Sequence, residues 1–170
     1  MKMKSAGFTL IEVLVVLFII SVVTSVALLS ISRNENKQME SFANELRQIM
    51  TLAEEQAMLQ PSVLGLTLND HSFQFASLQP SADSKKNKWS LLEDTMLGKH
   101  DIPRNIQLNI VIGNSSIKPA EETAIKTPQI IISTNGDITP FTIYVGKIGE
   151  KPRYAVIGDA DGNVTTKLLS

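Results

Sequence analysis

The sequence predicts an α+β chain in which one long N-terminal helix leads into an antiparallel sheet. Three observations carry that expectation. Neither Pro nor Gly occurs between Phe8 and Gln60, so nothing forces a break in a helix there. Within that stretch, apolar residues are first continuous and then recur at helical spacing. After Pro61 the pattern changes to short apolar runs separated by Asn, Asp and Gly.

The helix has two halves of different character. Residues 8–31 contain a single charge, Glu12. As a helix this segment would extend about 36 Å, enough to cross a hydrocarbon layer of about 30 Å. Lys2 and Lys4 precede it and no base follows until Arg33, so the excess of positive charge places the N-terminus in the cytoplasm and the bulk of the chain across the membrane. Over residues 32–60 the helix becomes amphipathic, with Met39, Phe42, Leu46, Ile49, Met50, Ala53 and Ala57 on one stripe expected to face a sheet. The whole is one helix of about 53 residues and roughly 80 Å, ending at Gln60-Pro61. Arg33 to Lys37 interrupts the hydrophobicity and is expected to fray.

Residues 61–170 read as strands. Ser62–Leu68 and Ser72–Leu78 flank a turn at Asn69-Asp70-His71. Gln79–Lys88 is a polar loop, with a short segment at Trp89–Leu92 behind it, and Ile106–Ile112 alternates as a half-buried strand does. Gly113–Thr127 reads as a polar loop. Gln129–Ser133 and Thr139–Val145 flank Asn135-Gly136, a hairpin signal because both residues tolerate positive φ. Arg153–Ile157 and Asn163–Leu168 flank a turn at Asp159–Gly162.

Composition narrows the function classes. Net charge is −1, and it becomes −3 (14 basic, 17 acidic) without the first seven residues, which hold only Lys2 and Lys4. With no basic patch there is no general attraction for nucleic acid. The chain has no cysteine, which excludes disulfides and thiolate metal sites. It also lacks a GxSxG elbow, an HExxH helix, a Walker loop and a Gly-rich dinucleotide turn. No enzyme activity and no cofactor are expected.

Glu12 is the residue that needs explaining. A charge at the centre of a membrane helix costs about 2.5–3.5 kcal/mol on insertion scales, and less near an interface. A secretory signal peptide cut after Ala27 is one reading, but the apolar stretch is long for it and carries a carboxylate near its start. A plain signal anchor explains the length and gives Glu12 no role. Cleavage after Gly7 gives it one. Phe8 then carries a positive amino terminus, Glu12 lies one turn into the helix where negative charge suits the dipole, and in an assembly the two charges of neighbouring subunits pair.

Gly7-Phe8-Thr9-Leu10-Ile11-Glu12, with the basic leader before it and the apolar helix after it, resembles the cleavage motif of type IV prepilins and type II secretion pseudopilins. The resemblance implies a type IV pilin-like fold, cleavage between Gly7 and Phe8 by a prepilin peptidase, N-methylation of Phe8 by the same enzyme, and recruitment of subunits through Glu12. Residues 1–7 would then be the leader, with Lys2 and Lys4 its charges. Phe73-Gln74-Phe75, Trp89 before Leu91-Leu92, and Pro128–Ile132 followed by Asn135–Phe141 are similar to the H-type minor pseudopilins (general secretion pathway protein H). That implies a place in the periplasmic pseudopilus that drives folded exoproteins through an outer-membrane secretin. Its partners would be the major G-type and tip I-, J- and K-type pseudopilins and an inner-membrane assembly platform. A minor pilin of a type IV pilus is the alternative; several such pilins carry a C-terminal disulfide, which is impossible here.

Other candidate residues have plainer readings. Asp159, Asp161 and Asn163 offer alternating oxygen ligands, but no bidentate Glu follows at calcium-loop distance, so a β-turn is expected. His71 and His100 stand alone in loops and are read as surface histidines. Thr139-Pro140-Phe141 is read as a strand entry with Phe141 in the core, or else a partner contact. Trp89 is weighed between packing on the sheet and anchoring a partner. Lys85–Lys88 is a solvated loop.

Overall fold

The computed structural model describes residues 9–80, 87–117 and 127–169, with the side chains of residues 27–33 outside the description. One helix, α1 (Leu10–Leu59), is followed by β1 (Leu64–Leu68), β2 (Ser72–Gln79), β3 (Lys88–Leu91), β4 (His100–Asp101), β5 (Ile106–Ile112), β6 (Ser115–Ile117), β7 (Ile130–Ile132), β8 (Phe141–Lys147), β9 (Tyr154–Gly158) and β10 (Val164–Leu168). The chain divides into two compact units at Gln38.

The first unit is helical from Leu10 onward. Helix continues through residues 33–37, where fraying was expected. The intrinsic propensities of Asn and Glu are only modestly unfavourable, and each residue added to an existing helix brings its own hydrogen bond.

The second unit begins on the helix at Met39. Its stripe of Met39, Phe42, Ala43, Leu46, Ile49, Met50, Ala53 and Ala57 is buried in one core with both sheets. These positions recur every three or four residues, so they share one face. The helix ends where Pro61 withholds an N–H, and Ser62 N–H donates to Ala57 O at 3.3 Å to close the last turn.

Where one sheet was expected, the strands form two, each antiparallel. The first runs β3-β2-β1-β7, with β4 also pairing β2; the second runs β10-β9-β8-β5-β6. In the first sheet Leu64, Leu66 and Leu68 lie opposite Ser77, Phe75 and Phe73, while Ile132 and Ile130 lie opposite Leu64 and Leu66. Opposed residues share a face, so this register puts the large apolar side chains on the core side. Phe73 meets Phe42 of the helix edge-on, centroids 6.4 Å apart at 75°.

The division into two sheets begins at Asn135-Gly136. A hairpin between β7 and β8 was expected, yet the two strands belong to different sheets. The turn closes one isolated bridge, Ile132 to Ile138, after which Pro140 ends the pairing and Phe141 starts β8 in the second sheet. Gly136 alone in this turn has positive φ, 89°, so Asn135 keeps an ordinary conformation. Two further strands lie in stretches read as loops. Gly113, at φ 60°, turns the chain so that Ser115–Ile117 pairs back onto Ile110–Ile112. His100 and Asp101 pair with Phe73 and Ser72, a contact too short to leave a periodic signal.

Candidate assembly site

The described part of the N-terminal helix starts at Thr9. Its hydroxyl accepts from the Glu12 N–H at 3.3 Å, and its carbonyl accepts from Glu12 N–H at 3.1 Å and Val13 N–H at 3.3 Å. Thr9 is thus the N-cap and Glu12 the third helical residue, the spacing of a capping box. The Thr9-x-x-Glu12 pattern was present in the sequence and its capping role was not drawn from it. Glu12 is exposed in the first turn, where the helix dipole favours its negative charge.

Below Glu12 every large apolar side chain from Leu10 to Val26 is exposed, including Phe18 at 67% and Ile20 at 54%. Polar residues interrupt this surface less than their number suggests. Ser21, Thr24 and Ser25 donate their hydroxyls to Leu17 O, Ile20 O and Ser21 O at 2.7, 2.7 and 2.8 Å. Each hydroxyl is satisfied by its own helix, so the segment demands no external hydrogen-bond partner for them. Exposed apolar area on this scale marks a surface for protein or membrane. Among the described residues no helix is long and apolar enough to cross a membrane. Lys2, Lys4, Gly7 and Phe8 lie outside the described residues.

The sheet unit places the remaining candidates. Trp89 is half-buried and lies over Gly65, where an added Cβ would come within 3.0 Å of its ring and 2.4 Å of Pro128. It packs across the outer face of the first sheet. Phe141, read above as core with a partner contact as the alternative, is only 3% exposed and faces Gly158 across the strands. The partner-contact alternative is corrected on steric grounds: Gly158 leaves the space that the ring fills in the core. His71 is exposed, whereas His100 is half-buried, stacked on Phe73 at 5.0 Å and 3.0 Å from Met96 O through Nε2. The surface reading fails for His100 because β4 draws it onto the sheet. Lys85 and Lys86 lie outside the described residues.

At the β9–β10 turn, Asp159 Oδ1 accepts from the N–H groups of Asp161 at 3.1 Å and Asn163 at 2.9 Å. Its carboxyl is held below the ordinary aspartate value chiefly by the Asn163 side chain. Gly162 completes the turn at φ 93°. Close by, an added Cβ on Gly162 would meet Glu54 Oε1 at 2.6 Å. Burial raises the Glu54 carboxyl above its usual value, and the charges of Glu55 and Asp159 raise it further. Among the described residues no group of three His, Cys, Asp or Glu side chains could hold a metal ion.

Residues 2–28 match the prokaryotic N-terminal methylation motif. The chain is 29% identical to type II secretion system protein H of Aeromonas hydrophila over 180 residues, covering 98% of this chain and 94% of that one. It is 23% identical to the protein of the same name from Vibrio cholerae, over 96% of this chain and 94% of that one. The crystal structure of the minor pseudopilin EpsH from the Vibrio cholerae type II secretion system superposes with a TM-score of 0.62 at 22% identity, covering 79% of this chain and 97% of that one. Helix and sheets together form a pilin-like fold, with the methylation motif at its N-terminal end. Within that class, the motif and the relatives support a minor pseudopilin of the H type.

Proposed function

We propose that the chain is a minor pseudopilin of the type II secretion system, a structural subunit of the periplasmic pseudopilus and not an enzyme. The observation that carries this reading is the exposed apolar helix with Glu12 in its capped first turn, inside a segment that matches the methylation motif. A type IV pilus minor pilin has no comparable support, since the relatives compared above are secretion proteins.

In this reading the 24 residues 8–31, charged only at Glu12, hold the precursor in the inner membrane as a single pass. Lys2 and Lys4 stay in the cytoplasm, and residues 61–170 lie in the periplasm. A prepilin peptidase cuts between Gly7 and Phe8 and methylates Phe8. Glu12 then pairs with the amino terminus of a neighbouring pseudopilin as the assembly platform draws the helix out of the bilayer. The apolar helices form the filament core. They are uncharged apart from Glu12, so van der Waals packing holds them and the ion pair sets the register. Trp89 serves as a packing residue that a G-, I-, J- or K-type neighbour can cover.

The test has two parts. Mass spectrometry of the mature chain should find an N-methylated Phe8 at the terminus; a chain beginning at Met1 or Leu28 refutes the processing step. Glu12→Ala should leave the sheet unit's unfolding transition where it was and abolish incorporation into filaments. Normal incorporation of that variant removes the ion-pair mechanism.

A further inference from the structure

The second sheet carries opposite charge at its two ends. Ile106 lies opposite Lys147, Val145 opposite Tyr154, and Ala155 opposite Lys167, so the register brings Arg104, Lys147, Lys151, Arg153 and Lys167 to one end. No stretch of sequence shows this patch, because its members come from three separate segments. Lys147 is half-buried and the other four are exposed. Three carboxylates share this end: Glu150, paired with Lys147 at 3.4 Å, and Asp70 and Asp101, which line one groove with Arg104 and Ile148. The helix adds Lys37 and Glu40, which cancel. The balance is positive. At the opposite end Asp137, Asp159 and Asp161 sit on two turns joined by Ile138 N–H to Ala160 O at 3.3 Å, with Glu54 and Glu55 of the helix beside them. None of those three segments contains a base.

The positive end is also the end at which the chain enters the unit. Glu54 meets Gly162 of the β9–β10 turn, whereas Phe42, earlier on the helix, meets Phe73 beside the β1–β2 turn. The β8–β9 turn, at the other end of β9 from Gly162, therefore lies on the Phe42 side. Ile31 and Met39 are on one continuous helix, about 12 Å apart at about 1.5 Å per residue. A headgroup layer takes about 5–7 Å of this. The gap that remains is shorter than the Debye length of about 8 Å at physiological salt, so a bilayer holding residues 8–31 lies within electrostatic reach of this end.

The tip of the β8–β9 turn adds an apolar contact. Glu150 N–H donates to Lys147 O at 3.0 Å and Gly149 takes φ 78°, which puts Ile148 at the outer corner of the turn, 60% exposed. Ile148 N–H donates to Asn105 O at 3.3 Å, tying the turn to the segment that carries Arg104. An exposed aliphatic tip flanked by bases combines the two features that seat a protein in an anionic interface.

We propose that this end of the sheet unit is a membrane-docking surface that rests on anionic phospholipid headgroups before the subunit is assembled. The bases face the phosphates, Ile148 enters between headgroups, and the acidic end is repelled outward, so the charge polarity also orients the unit. The proposal rests on the membrane anchoring of the pseudopilin reading.

The test uses the unaltered full chain in nanodiscs carrying a gadolinium-chelating lipid, with relaxation enhancement read at backbone amides by nuclear magnetic resonance. In phosphatidylglycerol discs with one chain each, enhancement at residues 148–151 should exceed that at residues 159–162 by at least about fivefold. In phosphatidylcholine discs, or at about 1 M salt where the Debye length falls to about 3 Å, that ratio should drop by at least about threefold. Arg104→Gln combined with Lys151→Gln should lower it likewise in phosphatidylglycerol. If that variant does not fold, the lipid and salt series on the unaltered chain decide. An equal ratio in both lipids overturns the proposal, because tethering alone then explains the proximity, and leaves the pseudopilin reading standing. Enhancement that appears only in discs holding two or more chains also overturns it, since the occupant is then a second copy. A chain that enters neither kind of disc overturns the proposal and the membrane anchoring together.

Discussion

Gly158→Ala isolates the packing role of Phe141. Gly158 lies directly opposite Phe141 in the second sheet. A Cβ at this position would lie 2.2 Å from Phe141 Cε1 and 2.8 Å from both Cδ1 and Cζ. The φ of Gly158 is not among the positive ones, so the backbone itself tolerates alanine, and the loss of unfolded-chain entropy favours the variant by about 0.4–1 kcal/mol. Against that, the ring is buried and cannot rotate into solvent. Overpacking of this kind costs about 1–3 kcal/mol, leaving a net destabilisation of about 1–2 kcal/mol, the steric cost being the larger. Trp89 is the single tryptophan, so its fluorescence reports urea unfolding of the full chain in detergent, with the midpoint lowered and the slope unchanged. Phe141→Leu should relieve the clash, giving a coupling of at least about 1 kcal/mol in a double-mutant cycle. A stable Gly158→Ala variant, or strict additivity, would refute the packing assignment.

Three further outcomes follow from the geometry. Glu54 is raised in the folded state by burial, Glu55 and Asp159, so folding binds its proton more tightly than the unfolded chain does. Its contribution is full below the ordinary glutamate pKa of about 4.3 and is lost as pH rises through the higher folded value. Glu54→Gln should therefore raise the neutral-pH unfolding midpoint and flatten the dependence above that pKa; an unchanged profile contradicts this. Asp159 behaves oppositely, because its lowered carboxyl stabilises above the ordinary aspartate value and loses that effect as pH falls through the folded one. Asp159→Asn should remove this low-pH loss in an acid titration. Asn69 accepts from His71 N–H at 2.9 Å and Ser72 N–H at 2.7 Å, so Asn69→Ala should cost about 1–2 kcal/mol by thermal unfolding. A midpoint equal to that of the unaltered chain would show that the turn holds without its side chain.

Much of the architecture was legible because it depends on local periodicity. The buried helix stripe contains every residue that the 3.6-residue spacing selected, with Ala43 added. Strand β5 begins and ends where its alternation does. The division into two sheets was not legible. It depends on Ile130–Ile132 pairing with β1, more than sixty residues back, and on Phe141–Lys147 pairing with β5 instead of with β7, and such distant partners leave no mark on a short apolar run. Asn135-Gly136 gave a sound turn and a misleading hairpin, since the next residue that mattered was Pro140. At the candidate assembly site the sequence identified Glu12 by its anomaly, a lone charge among apolar residues. It concealed how Ser21, Thr24 and Ser25 hide their hydroxyls on the helix, which only coordinates reveal.

The two units carry opposite solutions to the same physical problem. Residues 39–59 bury their stripe internally, and the sheets leave few large apolar side chains outside. Residues 10–26 bury none of theirs. Such a surface is tolerable in water only when something else covers it, first lipid and then neighbouring helices in the proposed function. Van der Waals contact between helices that are apolar on all sides sets no register, because a one-turn slip costs little. A single carboxylate at a fixed distance from a single amine does set one, since displacement leaves both charges unpaired in an apolar surrounding. In the proposed assembly the lone charge would thus provide specificity that the apolar residues around it cannot. Moving the carboxylate to Val16, one turn further along, should therefore impair assembly as severely as deleting it, even though net charge and mean hydropathy would be nearly unchanged.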